Sequence, residues 1–193
     1  MRTLSVVEFV TLDGVMQGLG SPDEDRDNGF EHGGWGAPYN DEVLLNAARE
    51  GMPQTTAYLW GRRTYGHMAA HWPHEPASNP IAKHLQETPK YVVSNTLTSL
   101  EWPGTRLISG DIVRGIRDLK ADGSGAITVL GSGVLVQTLI EHELIDQYHI
   151  FIHPLVLGTG KRLFSSTSRP LRLNLVRCTQ TTTGVLLCTY EPS

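Results

Sequence analysis

Residues Leu4 to Val10 concentrate β-branched and aromatic side chains and run into Asp13-Gly14, the composition of an opening strand that ends in a tight turn. From Gly18 to Pro38 that pattern stops. Glycine and aspartate dominate, with Phe30 and Trp35 embedded among them, and so long a stretch inside a domain points to a binding loop or lid. Asn40 or Asp41 can then cap a helix that carries Val43, Leu44, Ala47 and Ala48 on one face and stops at Gly51-Met52-Pro53. A buried strand follows from Thr56 to Trp60. Gly61 closes it, and Arg62 to Ala70 reads as a helix ended by Trp72-Pro73, because the residue before a proline avoids the helical region. A short helix fits Asn79 to Gln86.

The alternation continues with strands at Tyr91 to Ser94 and Thr105 to Ile108, a helix at Ile112 to Lys120, and a strand at Ala126 to Leu130. A helix from Gly133 to His142 and a strand from Gln147 to Ile152 complete it. Strands alternating with helices predict a mostly parallel sheet covered on both faces. The end of the chain differs: Leu171 to Cys178 and Val185 to Glu191, joined by a Thr-rich turn with Gly184, predict an antiparallel hairpin. No linker divides the 193 residues, so residues 1–193 read as one domain.

Composition narrows the function classes. With 39% hydrophobic and 19% charged residues the chain is that of a folded protein. A formal charge of -4 leaves no clustered basic surface for nucleic acid or for an anionic membrane. No apolar run approaches the roughly 18 residues that span a bilayer, and no signal peptide precedes the first strand, so a cytoplasmic location is expected. Cys178 and Cys188 read as two small buried thiols. His67, His71 and His74 fall at helical spacing, but Trp72-Pro73 breaks the helix before His74 and no further ligands complete a set, so no metal is expected.

Two strand-to-helix junctions carry candidate chemistry, since open parallel sheets bind ligands beyond the carboxyl ends of their strands. The first is Gly61-Arg62-Arg63-Thr64-Tyr65, where a glycine allows close approach, two arginines add charge and Thr64 adds a hydroxyl in the first helical turn. An ordinary turn with solvated arginines is the alternative. The second is Gly131-Ser132-Gly133, whose exposed amides can form an anion-binding concavity at a helix N-terminus. It is neither the G-x-G-x-x-G fingerprint, because Val136 stands where the third glycine would be, nor a P-loop.

The order of Gly61-Arg62-Arg63-Thr64-Tyr65, Tyr91-Val92-Val93-Ser94-Asn95-Thr96 and Thr128-Val129-Leu130-Gly131-Ser132-Gly133-Val134-Leu135 resembles the cofactor side of the dihydrofolate-reductase-like superfamily. Thr11-Leu12-Asp13-Gly14 and Pro154-Leu155-Val156-Leu157-Gly158 are closer still to its riboflavin-biosynthesis reductase subgroup and the stand-alone members of that subgroup. The resemblance implies a three-layer α/β sandwich, NADPH as cofactor and a homodimer. It also implies that Gly61, Arg62, Arg63 and Thr64 meet phosphates, that Ser94, Asn95 and Thr96 lie near the adenosine ribose, and that Gly131 to Leu135 cradle the diphosphate.

On the substrate side the resemblance places Thr11, Asp13 and Gly14 at the pocket border, while Asp-Gly is equally a common turn pair. Trp35 and Tyr39 could stack on a flat heterocycle or simply pack. Trp35-Gly36-Ala37-Pro38-Tyr39-Asn40-Asp41 resembles the Trp-x-x-Pro-x-Asp segment of true dihydrofolate reductases, yet Asn40 stands at the acid position and the carboxylate comes one later. Asp41 is then the candidate catalytic acid through a one-residue slip, or a helix cap. His149 and His153 alternate near a strand end, with His153 read as a pocket or a core histidine. The resulting expectation is an NADPH-dependent reductase acting on a small pterin-like or aminopyrimidine ribosyl compound, as in the phosphoribosylamino-uracil reductase family. The alternative is a non-catalytic nucleotide- or metabolite-binding protein on the same fold.

Overall fold

The computed structural model describes residues 1–164 and 170–193. The elements are β1 (Thr3–Thr11), α1 (Glu42–Gly51), β2 (Thr55–Gly61), α2 (Arg62–His71), α3 (Pro80–Glu87), β3 (Lys90–Val93) and β4 (Thr105–Ile108). They continue with α4 (Ile112–Ala121), β5 (Ala126–Leu130), α5 (Gly133–Glu141), β6 (Gln147–His153), β7 (Leu173–Gln180) and β8 (Leu186–Pro192). Side chains set the helix starts. Asp41, Asn79 and Asp111 each accept an amide of the first turn, and Pro80 occupies a position whose missing N–H costs nothing.

One eight-stranded sheet organises the chain in the order β4-β3-β2-β5-β1-β6-β8-β7. The first six strands of that order run parallel, and the β7–β8 hairpin adds two antiparallel rungs to β6. The register Leu59–Val129–Val6 puts these three on one face, where they form a core with Ile116 and Leu119 of α4 and Leu135, Val136 and Leu139 of α5. The opposite face packs Tyr58, Trp60 and Val92 under α2 and α3, and Phe151 and Leu187 under Leu44 of α1. Helices on both faces of one sheet make the α/β three-layer sandwich that the alternation predicts.

The strand order creates a switch point. From β1 the chain crosses β5 to reach β2, and from β5 it crosses β1 to reach β6, so the connections diverge at the β5–β1 boundary. Two local expectations change. Ala48 is exposed, because α1 meets the sheet only through the stripe of Val43, Leu44 and Ala47. Cys188 is buried but Cys178 is exposed, because β7 is an edge strand with almost no cover.

Candidate active site

The β2–α2 and β5–α5 junctions meet. The Gly61 amide donates to Ser132 Oγ over 2.9 Å. Gly131 (φ 70°) and Ser132 (φ 77°) are consecutive left-handed residues, so the chain turns sharply enough to bring α5 back under β5. The Ser132 hydroxyl accepts from Gly61 and, on a left-handed backbone rather than the extended one of a capping residue, does not cap its own helix. The first-turn amides of Gly133, Val134 and Leu135 are thus presented at a positive helix end with no capping side chain. Leu135 contributes only backbone, its side chain lying in the core, while the Val134 side chain is exposed. Thr64 stands against Gly131, where an added Cβ would come within 3.4 Å of the Thr64 methyl.

Arg62 and Arg63 are exposed in the first turn of α2. Arg63 is ion-paired with Asp27, which belongs to the long loop between β1 and α1. Lys161 Nζ ties the same carboxylate at 2.8 Å and Asp25 at 2.6 Å, and Gln17 holds Asp25 and the Asp27 carbonyl. The loop is built rather than slack. Phe30 and Trp35 bury against Val15, and Trp35 Nε1 donates to the Gln17 carbonyl at 2.7 Å.

At the end of β3, Ser94 is buried and its Oγ accepts from the amides of Thr96 and Leu97. Asn95 Oδ1 accepts from Gly110, joining the β3 and β4 ends. The serine and asparagine acceptors therefore shape this rim, and the Asn95 and Thr96 side chains stand exposed on it.

The β1 turn is closed on itself. Thr11 Oγ1 donates to Asp13 at 2.6 Å and accepts from Val15, and Gly14 adopts φ 81°. Asp13 also accepts from the amides of Leu157 and Gly158 and faces Arg162. The Thr11 hydroxyl and those amides hold its carboxyl down at about 2. Asp13 thus clamps the β1 and β6 ends together.

Trp35 and Tyr39 both stand edge-on to His153, with ring centroids 5.0 and 5.4 Å away. His153 is buried, and Nδ1 lies 3.2 Å from the Val10 carbonyl and 3.1 Å from that of Phe151, which assigns the proton to Nδ1. Burial lowers its pKa, so the ring is neutral at neutral pH. Asp41 takes the cap alternative: Oδ1 accepts from Leu44, while Oδ2 accepts from the Thr182 amide and hydroxyl and the Thr183 amide. The Thr182 hydroxyl and the Leu44 amide hold its carboxyl down at about 2, which leaves it no proton to give at neutral pH.

Residues 2–187 match the sequence profile of the RibD C-terminal domain. The chain belongs to this family. Over 189 residues, 94% of this chain and 90% of its relative, it is 26% identical to the uncharacterized protein YyaP of Bacillus subtilis (strain 168). A putative riboflavin biosynthesis protein from Shewanella sp. PV-4 superposes with a TM-score of 0.71 at 22% identity, over 100% of this chain and 99% of that one. A pyrimidine reductase-like protein from Corynebacterium diphtheriae gives 0.69 at 13%, over 100% and 92%. Dihydrofolate reductase from Enterococcus faecalis, solved with NADP(H), gives 0.65 at 14%, over 99% and 96%. These likenesses show the dihydrofolate-reductase-like fold.

Three buried ionisable side chains of this RibD C-terminal domain have no forewarning in the sequence analysis: Lys120, paired with Asp146, and the more deeply buried Lys90 and Glu8. Lys90 has no exposed surface; its Nζ donates to the carbonyls of Leu85, Gln86 and Thr88 and lies 4.8 Å from the Trp102 ring centre. Burial lowers its pKa to about 8, and its role is to close the C-terminus of α3. Glu8 is 2% exposed, its Oε1 has no hydrogen-bond partner among the described residues, and burial pushes its carboxyl up to about 8. It occupies the face of Val6 and Val10, one step past the Val7–Leu130 pair and so beside Gly131. A carboxylate on an otherwise apolar strand face was the available signal.

Proposed function

We propose that this RibD C-terminal domain is an NADPH-dependent reductase of a small nitrogen-rich heterocycle, a pterin-like or aminopyrimidine ribosyl compound. One observation carries the proposal. The β2–α2 and β5–α5 junctions, far apart in sequence, are hydrogen-bonded together beside the switch point, with an uncapped helix end facing out. The donor set fits a dinucleotide phosphate: the α5 amides and Thr64 for the diphosphate, Arg62 and Arg63 for charge, and the Asn95–Thr96 rim for the adenosine end.

When bound, NADPH supplies the hydride. The chain's own work is to bind, orient and exclude water. Arg63 exchanges Asp27 for phosphate, and the Asp27-bearing loop moves with that exchange. Tyr39, half-buried and backed by the buried His153 and Trp35 where the β1 and β6 ends meet, is the ring left to meet a flat heterocycle. Asp41 acts as a positioning residue, since its carboxylate fixes the start of α1 against the β7–β8 turn. Thr11, Asp13 and Gly14 set the border of the same pocket.

A second reading has its own support. The single acid of the Trp35–Asp41 segment is wholly occupied by backbone and threonine donors, so a protein that binds the nucleotide without reducing anything fits the same geometry. Steady-state oxidation of NADPH against a panel of pterins and aminopyrimidine ribosyl or ribityl compounds separates the two. Turnover of any acceptor supports the reductase; saturable binding with no turnover across the panel supports the binder. A homodimer and a cytoplasmic location accompany the proposal, and sedimentation at graded concentrations tests the first. No helix among the described residues is long and apolar enough to cross a membrane.

A further inference from the structure

Cys178 and Cys188 lie outside everything assigned to the reductase. They oppose each other across the β7–β8 hairpin as a register pair, and one thiol donates to the other with the sulfurs 3.1 Å apart. The pairing is held from both sides. Thr179 opposes Leu187, Gln180 opposes Leu186, and Cys188 itself pairs with Ile150 of β6. Opposed residues of antiparallel strands have Cβ atoms about 4.5–5.5 Å apart, and a disulfide spans about 3.5–4.5 Å between them. The ranges meet, so side-chain rotation and a small approach of the strands bring the sulfurs to bonding distance.

The two sulfurs differ in access. Cys178 is exposed and Cys188 is buried, and burial, with the bond to Cys178, pushes the Cys188 thiol up. An incoming reagent therefore meets Cys178 first, and Cys188 stands behind it as the resolving thiol.

We propose that Cys178 and Cys188 form a reversible dithiol–disulfide site whose oxidant is a small disulfide of the oxidised-glutathione class. Cys178 loses its proton and its sulfur attacks one sulfur of the small disulfide. That S–S bond breaks, and one small thiol leaves carrying a proton. Cys188 then loses its proton and attacks Cys178 Sγ, which expels the second small thiol. Two electrons and two protons leave the protein, and the small disulfide is reduced to two thiols. The crosslink closes two rungs from the turn at Thr181–Gly184, where Thr182 grips Asp41 and Thr183 Oγ1 donates to the Tyr39 carbonyl. Oxidation thus stiffens the strut that holds the start of α1. A pair that closes and opens in this way suits a compartment where structural disulfides are rare.

The reduced full-length protein is equilibrated with graded ratios of oxidised to reduced glutathione, acid-quenched, alkylated and weighed intact. The expected product is a monomer lacking two hydrogens, with neither cysteine alkylated, restored by dithiothreitol. Cys188→Ser is expected to stop at one glutathione adduct on Cys178. The proposal is overturned if the wild type also stops at that adduct, crosslinks only between chains, or keeps both thiols through the most oxidising mixture. The wild-type result decides whether or not the variant folds.

Discussion

The amide of Gly61 donates to the side-chain oxygen of Ser132 across 2.9 Å, so the ends of β2 and β5 are joined by a hydroxyl that sits where a helix cap would be. The bond fixes the spacing of the two loops, and the first-turn amides of α5 stand beside it without a capping side chain.

Ser132→Ala removes the acceptor and leaves a half-buried amide unpaired, which costs about 1–3 kcal/mol. Ser132→Gly loses the same acceptor but relieves a left-handed side-chain residue, worth about 1–2 kcal/mol, so it is the more stable of the two variants. Thermal melts rank them, and NADPH titration should show weaker binding in both. Equal stability of Ala and Gly would show that the left-handed strain at Ser132 is negligible.

On the proposed function, Asp27 competes with the cofactor phosphate for Arg63. The carboxylate and its pairs with Arg63 and Lys161 are largely exposed, so Asp27→Ala should change stability little, while NADPH affinity rises several-fold. The same titration at low and high salt checks the cause, because the wild type must break an ion pair that the variant lacks. Unchanged or weaker NADPH binding in Asp27→Ala would remove the loop from the account of cofactor entry.

Glu8 makes stability depend on pH in a direction opposite to Asp13 and Asp41. Its folded pKa, about 8, lies above the unfolded value of 4.5, so the folded state holds a proton that the unfolded state releases. Its stabilising term is complete below about pH 4.5 and is lost as pH rises through about 8. Asp13 and Asp41, held at about 2, contribute stability above about pH 4 that is lost as pH falls towards 2. Denaturant melts from pH 5 to 8.5 should show a decline in the wild type that Glu8→Gln flattens, each tenfold change in proton affinity being worth about 1.4 kcal/mol. Parallel curves for the two proteins would refute the buried, protonated carboxyl.

Much of the sheet was legible because its strands carry β-branched runs and its helices carry caps. Asn79 before Pro80 and Asp111 before Ile112 mark helix starts by local chemistry alone. The pairing of Gly61 with Ser132, 71 residues apart, has no local signature, and only the strand order makes the two neighbours. Asp41 shows the same limit. A carboxylate one residue past the family position reads as a slipped acid or a cap, and the decision lies with Thr182, 141 residues downstream. The expectation of two buried thiols failed at Cys178 because burial on an edge strand depends on what lies beyond the edge.

Asp41→Asn separates positioning from proton transfer. An asparagine caps nearly as well as an aspartate, so stability should fall only modestly. Any reductase turnover should keep its pH profile, with KM moving more than kcat. A fall in turnover of about a hundredfold or more, with loss of a pH limb, would return Asp41 to the role of catalytic acid.

The most direct test of the proposed phosphate site is titration of the wild-type protein with NADPH and with NADH, followed by nicotinamide fluorescence and by calorimetry. The two joined junctions and the exposed arginines predict saturable binding, tighter for NADPH, and weakened by Arg63→Ala and by Ser132→Ala. Absence of saturable binding to either nucleotide would contradict the account and leave a dihydrofolate-reductase-like fold without its cofactor.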